Sequence, residues 1–319
     1  AMANGIASAE MVIALGEAGY MGSFGAGGLS PARVEAAIQQ IQTALPEGPY
    51  LFNLLHNPYE PAIEKATVDL YLRYGITAVE AAAYVLPSES LVYYRVKGLS
   101  RLPDGKIKIG NRVLAKISRR EVAQKFMSPA PERMLKRLLT KGLITSEQAD
   151  LARQVPLADD ITAEADSGGH TDNRPFIALL PSILAMRDEM QAKFQYATPV
   201  RVGIGGGIST PESVLAAYLM GAAYVVTGSI NHASVEAGTS RFTKEQLAKA
   251  AMTDVIMAPS ADMFEMGVKV QVLKRGTMYA MRAKKLYDTY KAYASIEDIP
   301  PKERQHLEKT IFKRSMEDV

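Results

Sequence analysis

The stretch "VRVGIGGGISTPESVLAAYLMGAAYVVTGSINHA", residues 200–233, decides the fold. A short apolar run ends in Gly205, Gly206 and Gly207. Ser209-Thr210-Pro211 then starts a helical pattern that stops at Gly221, and a second apolar run ends in Thr227-Gly228-Ser229. Strand, glycine turn, capped helix, strand is the parallel β/α unit, and proline suits the first helical position. The free N–H groups and dipole at that helix start favour an anion. Glycine lets a phosphate reach the backbone with no Cβ in the way. Two such turns on successive final strands match the phosphate site after strands seven and eight of many barrels. The dinucleotide fingerprint is not met: "GIGGGI" lacks the third glycine of G-x-G-x-x-G, and no acid ends the next strand to hold a ribose.

The same alternation of periods runs outward from this unit. Strand patterns fall at 20–25, 50–55, 78–84, 113–118, 161–167, 201–207 and 224–229. Helical patterns lie between them. One is capped by Ser8 and stops at Gly19; another has Ser30 as cap and Pro31 at its first position; a third ends at Gly75. Seven strands with helices between them predict an α/β chain of the (β/α)8 TIM-barrel class, and a strand before Ala1 would complete the eight. Residues 119–160 are too many for one crossover; "PERMLKRLLTKG" and "SEQADLARQ" read as two extra helices with a turn at Gly142, inserted between barrel strands five and six. Over the C-terminal face such an insertion acts as a substrate cap; the plainer alternative is a helical hairpin with no role. After Ser240 the pattern reads as helical. The expected organisation is a barrel over 1–240, including the 119–160 cap, and a helical extension over 241–319.

Composition narrows the function. The chain has 319 residues, 47% hydrophobic and 22% charged, as ordinary globular proteins do. No run approaches the roughly 18 apolar residues of a membrane span, and the start lacks the basic region of a signal peptide. The chain has no cysteine, which excludes disulfides, thiolate metal sites and cysteine nucleophiles, and fits a cytoplasmic address. A net charge of +3 does not argue for nucleic acid. No G-x-S-x-G elbow is present, and the four histidines lack paired metal-ligand spacing, so zinc is not expected.

Other strand ends carry polar groups where a barrel places its chemistry. Asn53 and His56 follow "YLF", Glu80 lies in "AVEAAAY", Lys116 in "LAKIS", and Asp166 leads into Ser167-Gly168-Gly169-His170. Lys116 reads two ways: a positive charge beside the electron-rich edge of a flavin pyrimidine, or a salt bridge with Glu80 or Asp166. His170 can hydrogen-bond a substrate carbonyl or relay a proton near neutral pH; a lone loop histidine is otherwise plain surface. His56 and His232 also lie just past strand ends and rival it, whereas His306 sits in a charged tail. The basic run Lys269, Lys274, Arg275, Arg282, Lys284 and Lys285 reads as a solvated helix face or as a seat for an anionic group.

Taken together, the sequence resembles the flavin-dependent nitronate monooxygenase superfamily. "EADSGGH" resembles its E-A-G-G-H turn, "IGGGI" its phosphate loop and "VVTGS" its final strand. Within it, "AMANGIASAEMVIALGEAGYMGSFGAGGL", "ADSGGHTDNRP" and "MAPSADMFEMGVKVQVLKRGTMYAMRAKKLY" are similar to the PfaD-type trans-acting enoyl reductases of polyunsaturated fatty acid and polyketide synthases. The resemblance covers essentially the whole chain. It implies an FMN enzyme that uses NADPH or NADH to reduce the 2,3 double bond of an enoyl thioester on an acyl carrier protein. No nucleic acid or membrane partner is implied, and a homodimer is left open. By resemblance, Gly205, Gly206, Gly207, Thr227, Gly228 and Ser229 hold the FMN phosphate. Asn53, Lys116 and the Asp166, Gly168, Gly169 turn border the isoalloxazine together with Ala3 and Asn4, and His170 is the catalytic or substrate-orienting group. Two rivals share these residues: a flavin oxidase acting on nitronates, and a catalytically silent docking subunit of a synthase.

Overall fold

The computed structural model describes residues 1–261 and 263–319; Asp262, within the segment "MAPSADMFEMGVKV", lies outside the described residues. The chain divides into two compact units, residues 1–167 with 172–244, and residues 168–171 with 245–319.

The first unit is built on seven parallel strands: Gly22–Phe24, Tyr50–Leu55, Ala78–Ala82, Arg112–Ile117, Asp160–Glu164, Arg201–Gly205 and Val225–Val226. They neighbour one another in chain order with no strand skipped. That order, with a helix on each crossover, is the TIM-barrel arrangement over seven strands. The predicted strand positions hold to within a few residues at every one of the seven.

The period of two sorts the side chains. Phe52, Leu54, Val79, Ala81, Val113, Ala115, Ile117, Ile161 and Ala163 are buried in one core cluster with the helices. Phe52 centres its aromatic part, with rings 5.5 Å from both Phe24 and Tyr71. The helices start where their caps predict. Ser8 accepts from the Met11 N–H before Ala9–Glu17, Pro31 begins Pro31–Ala44, and Thr210 and Ser213 form a reciprocal capping box before Pro211–Leu219.

The insertion does not stand over the C-terminal face. A helix the sequence pattern does not predict, Arg120–Phe126, follows the fourth strand at once and carries the chain back along the outside of the sheet. The two expected helices, Glu132–Thr140 and Ser146–Ala152, therefore emerge at the strands' N-terminal ends. There they pack beside Glu89–Lys97 and a small antiparallel hairpin, Leu99–Arg101 with Ile107–Ile109. Gln148 donates to the Lys97 carbonyl at 3.1 Å. The cap assignment for 119–160 is corrected: these helices pack beside the hairpin at the N-terminal ends of the strands.

The second unit is not only helical. Val255–Pro259 and Lys269–Leu273 form an antiparallel pair, and Gly169–His170 adds to it as a third strand, with His170 opposite Val270 and Gly169 opposite Gln271. The alternation in "VKVQVL" is the strand signal that the helical reading passed over. Helices Tyr279–Ala292 and Pro301–Leu307 complete the unit.

Candidate functional site

Strand register assembles a polar inner face in the first unit. Asn53 lies opposite Glu80 and Glu80 opposite Leu114, which puts Lys116, two residues on, on the same face. Lys116 lies opposite Thr162, which adds Glu164. Asn53 and Glu80 are fully enclosed, and the Asn53 amide donates to the Glu80 carbonyl at 3.3 Å. Lys116 Nζ meets Glu164 Oε1 at 2.8 Å, both side chains about four-fifths buried.

Burial alone would depress the Lys116 ammonium; Glu164 and Glu80 outweigh it and hold its pKa above the ordinary lysine value of 10.5. Lys116 is thus held in its ammonium form beside Glu164. Of the two readings for Lys116, a salt bridge is present, but to Glu164, which the sequence pattern does not single out.

The first loop packs onto this face through glycines. A Cβ at Gly25 would lie 1.9 Å from the Met2 carbonyl oxygen, and one at Gly28 would lie 2.0 Å from Asn4 Oδ1. Asn4, at φ +57°, donates its N–H to the Gly27 carbonyl at 2.7 Å. A Cβ at Gly27 would in turn be 3.1 Å from Asn53 Oδ1. Gly25, Gly27 and Gly28 thus bring the first loop, with Ala3 and Asn4, to the same segment that Asn53 approaches.

Across the sheet, the two glycine turns stand side by side. Gly206, at φ +94°, allows the exit of the fifth strand to pass: a Cβ there would meet the Ala165 carbonyl oxygen at 2.5 Å. Gly205 rests between Thr162 and Val226. Gly207 has only Phe176 within 4 Å of its Cβ position, and Gly228 has nothing. Among the described residues, the N–H groups of Gly207, Ile208, Gly228 and Ser229 have no protein acceptor. Unpaired donors beside open space are what a phosphate group requires. The Thr227 hydroxyl accepts from Asn231 Nδ2 at 3.0 Å and so holds the following turn in shape.

Asp166 is exposed and accepts from Asn173 at 2.9 Å, while its own N–H donates to the Arg174 carbonyl at 2.8 Å. These bonds close the loop whose tip, Gly168–Thr171, groups with the second unit. There His170 Nε2 is 3.0 Å from the hydroxyl of Ser260, which is buried and whose N–H bonds the Val268 carbonyl at 2.8 Å. Ser260 had a signal, since it lies inside "MAPSADMFEMGVKV", but nothing in the sequence pairs it with His170. Gly168 and Gly169 are exposed.

The rival histidines are placed otherwise. His56 Nδ1 is 2.8 Å from the buried Glu64, and its ring stacks on Tyr84 at 4.7 Å. This is a clamp on the rim between the second and third strands. His232 has its pKa lowered by burial and by Lys244. His306 is exposed. In the basic run, Arg275 pairs with Asp254, Lys284 with Asp288 and Lys285 with Glu303, all within its own unit.

Comparison with known proteins places these features in a family. The family model described as nitronate monooxygenase matches residues 1–281. A polyunsaturated fatty acid synthase polypeptide of a Thraustochytrium species is 50% identical over all of this chain, which spans 21% of that protein. The polyketide biosynthesis protein PksE of Bacillus subtilis is 49% identical, and the chain spans 42% of it. Among solved structures, the enoyl reductase domain of MlnA from the macrolactin cluster of Bacillus amyloliquefaciens aligns at a TM-score of 0.94 and 42% identity, covering 99% of this chain and 72% of that one. The chain spans less than half the length of these curated relatives.

Proposed function

The chain belongs to the nitronate monooxygenase family, and from that membership we propose that it is an FMN-dependent enoyl reductase acting for a polyketide or polyunsaturated fatty acid synthase. Its substrate is a 2-enoyl thioester carried on an acyl carrier protein. One observation carries the cofactor: unpaired amides of Gly207, Gly228 and Ser229 on adjacent turns, next to a charged inner face. The likeness to an enoyl reductase domain supports the reaction. Helical insertions at the N-terminal ends of the strands give the reductase reading no support, because a cap over the substrate is not what they form.

FMN, if held by these turns, would supply hydride transfer between a reduced nicotinamide, NADPH or NADH, and the β-carbon of the enoyl thioester. The chain's own residues supply the rest. The amides of the two turns donate to the phosphate, with no Cβ at Gly207 or Gly228 in the way. Asn53, Asn4 and Ala3 border the ring, and Lys116 contributes a side-chain cation to the inner face. Thioester polarisation and protonation of the α-carbon require a donor; His170, its ring fixed by Ser260, is that group. The glycines of the Asp166–Gly169 turn leave backbone without side chains beside the reacting partners.

Anaerobic stopped-flow tests the reaction. NADPH or NADH is expected to bleach the flavin, and a carrier-bound 2-enoyl thioester to restore its colour. Restoration only by oxygen or a nitroalkane would replace this reading with nitronate oxidation. His170→Ala is expected to slow the thioester step by roughly 100-fold while flavin stays bound; an unchanged rate would remove His170 from the mechanism.

A further inference from the structure

The inner face holds a carboxylate committed to Lys116. Glu164 ends the fifth strand, Lys116 lies near the end of the fourth, and the pairing of Lys116 with Thr162 puts Glu164 on the same face two residues further along. Their contact is 2.8 Å, with each side chain about one-fifth exposed. A lysine beside a flavin stabilises negative charge in the ring, which favours the reduced form. A lysine bonded to an ionised carboxylate presents a pair with no net charge, and its ammonium is fixed in direction.

Resting on the flavin reading above, we propose that Glu164 is a positioning residue that aims and neutralises Lys116, and so restrains the electron affinity of the bound cofactor. A flavin so restrained gives up its hydride to a conjugated thioester more readily than one facing an unpaired ammonium. The sequence hides this role because the partner is chosen by strand register, across 48 residues of chain that hold three helices.

Sulfite reports the effect without turnover. It adds through sulfur to N5 of oxidised flavin, and the displaced electron pair becomes negative charge in the pyrimidine half of the ring. Glu164→Gln frees the ammonium and is expected to tighten sulfite binding about tenfold and to raise the midpoint potential. Lys116→Met is expected to weaken sulfite binding by a similar factor. The double variant should match Lys116→Met within about twofold, because Glu164 acts through Lys116. If Glu164→Gln purifies without flavin, adding Lys116→Met should restore FMN binding by removing the unpaired buried charge. A yellow parent whose sulfite affinity is unmoved by Glu164→Gln, or moved equally with and without Lys116, overturns the assignment. So does a double variant that fails to recover flavin. A parent that takes up no FMN overturns the flavin reading itself, and this assignment with it.

Discussion

The two ends of the parallel strands are made differently. At the N-terminal end, Arg95 is almost wholly buried and both of its Nη nitrogens are committed: Nη1 donates to Asp159 Oδ2 at 2.6 Å and Nη2 to Asp159 Oδ1 at 3.0 Å, with the carbonyls of Asn111 and Pro156 accepting from the same two nitrogens. Asp159 also accepts from the Val113 N–H at 2.9 Å. Hairpin, insertion helices and this ion pair gather at the N-terminal ends of the strands. At the C-terminal end, amides face open space and a lysine and two carboxylates share an enclosed polar face. One end commits its polar groups to itself; the other holds them ready. Barrels divide stability and chemistry between the same two ends.

That contrast can be broken from either side. Arg95→Met strands Asp159 and is expected to cost about 3–5 kcal/mol in denaturant unfolding while FMN affinity of the folded fraction stays within about twofold. A large loss of FMN affinity would show that the two ends are not independent. Gly228→Asp does the reverse. Its side chain enters open space, so unfolding free energy should move by no more than about 0.5 kcal/mol, while a carboxylate beside the phosphate should weaken FMN about 30-fold by fluorescence titration. Unchanged FMN affinity would move the phosphate elsewhere.

Smaller effects sharpen the boundary. His56→Ala removes the clamp to Glu64 and should lower stability by about 1–1.5 kcal/mol with the rate of thioester reduction within about twofold; a hundredfold slower rate would make His56 the proton donor in place of His170. Lys284→Ala, in an exposed pair at 3.8 Å, should shift stability by under about 0.5 kcal/mol and leave turnover on the carrier-bound substrate unchanged. Substantial loss of turnover there would make the basic run a docking surface.

Much of this organisation is legible in the sequence because it is local. Glycine turns, caps at Ser8 and Thr210, and the periods of the seven strands are set by residues within a few positions of one another. What escaped is set at a distance. Glu164 joins Lys116, and Ser260 joins His170, through strand pairing that no spacing in the chain announces. The direction of the insertion turned on one seven-residue helix, Arg120–Phe126, too short to show a clear period; without it the chain is read as staying at the wrong end of the barrel. The strands of the second unit alternate plainly in "VKVQVL", but the charged helices around them dominate the reading.

The most direct measurement is the visible spectrum of the purified chain, followed by titration of the flavin-free protein with FMN. Flavin absorption bands, or saturable uptake of one equivalent of FMN that Gly228→Asp weakens, is the predicted result. A colourless protein that takes up no FMN would contradict the assignment of the two glycine turns and make this barrel a docking subunit without redox chemistry.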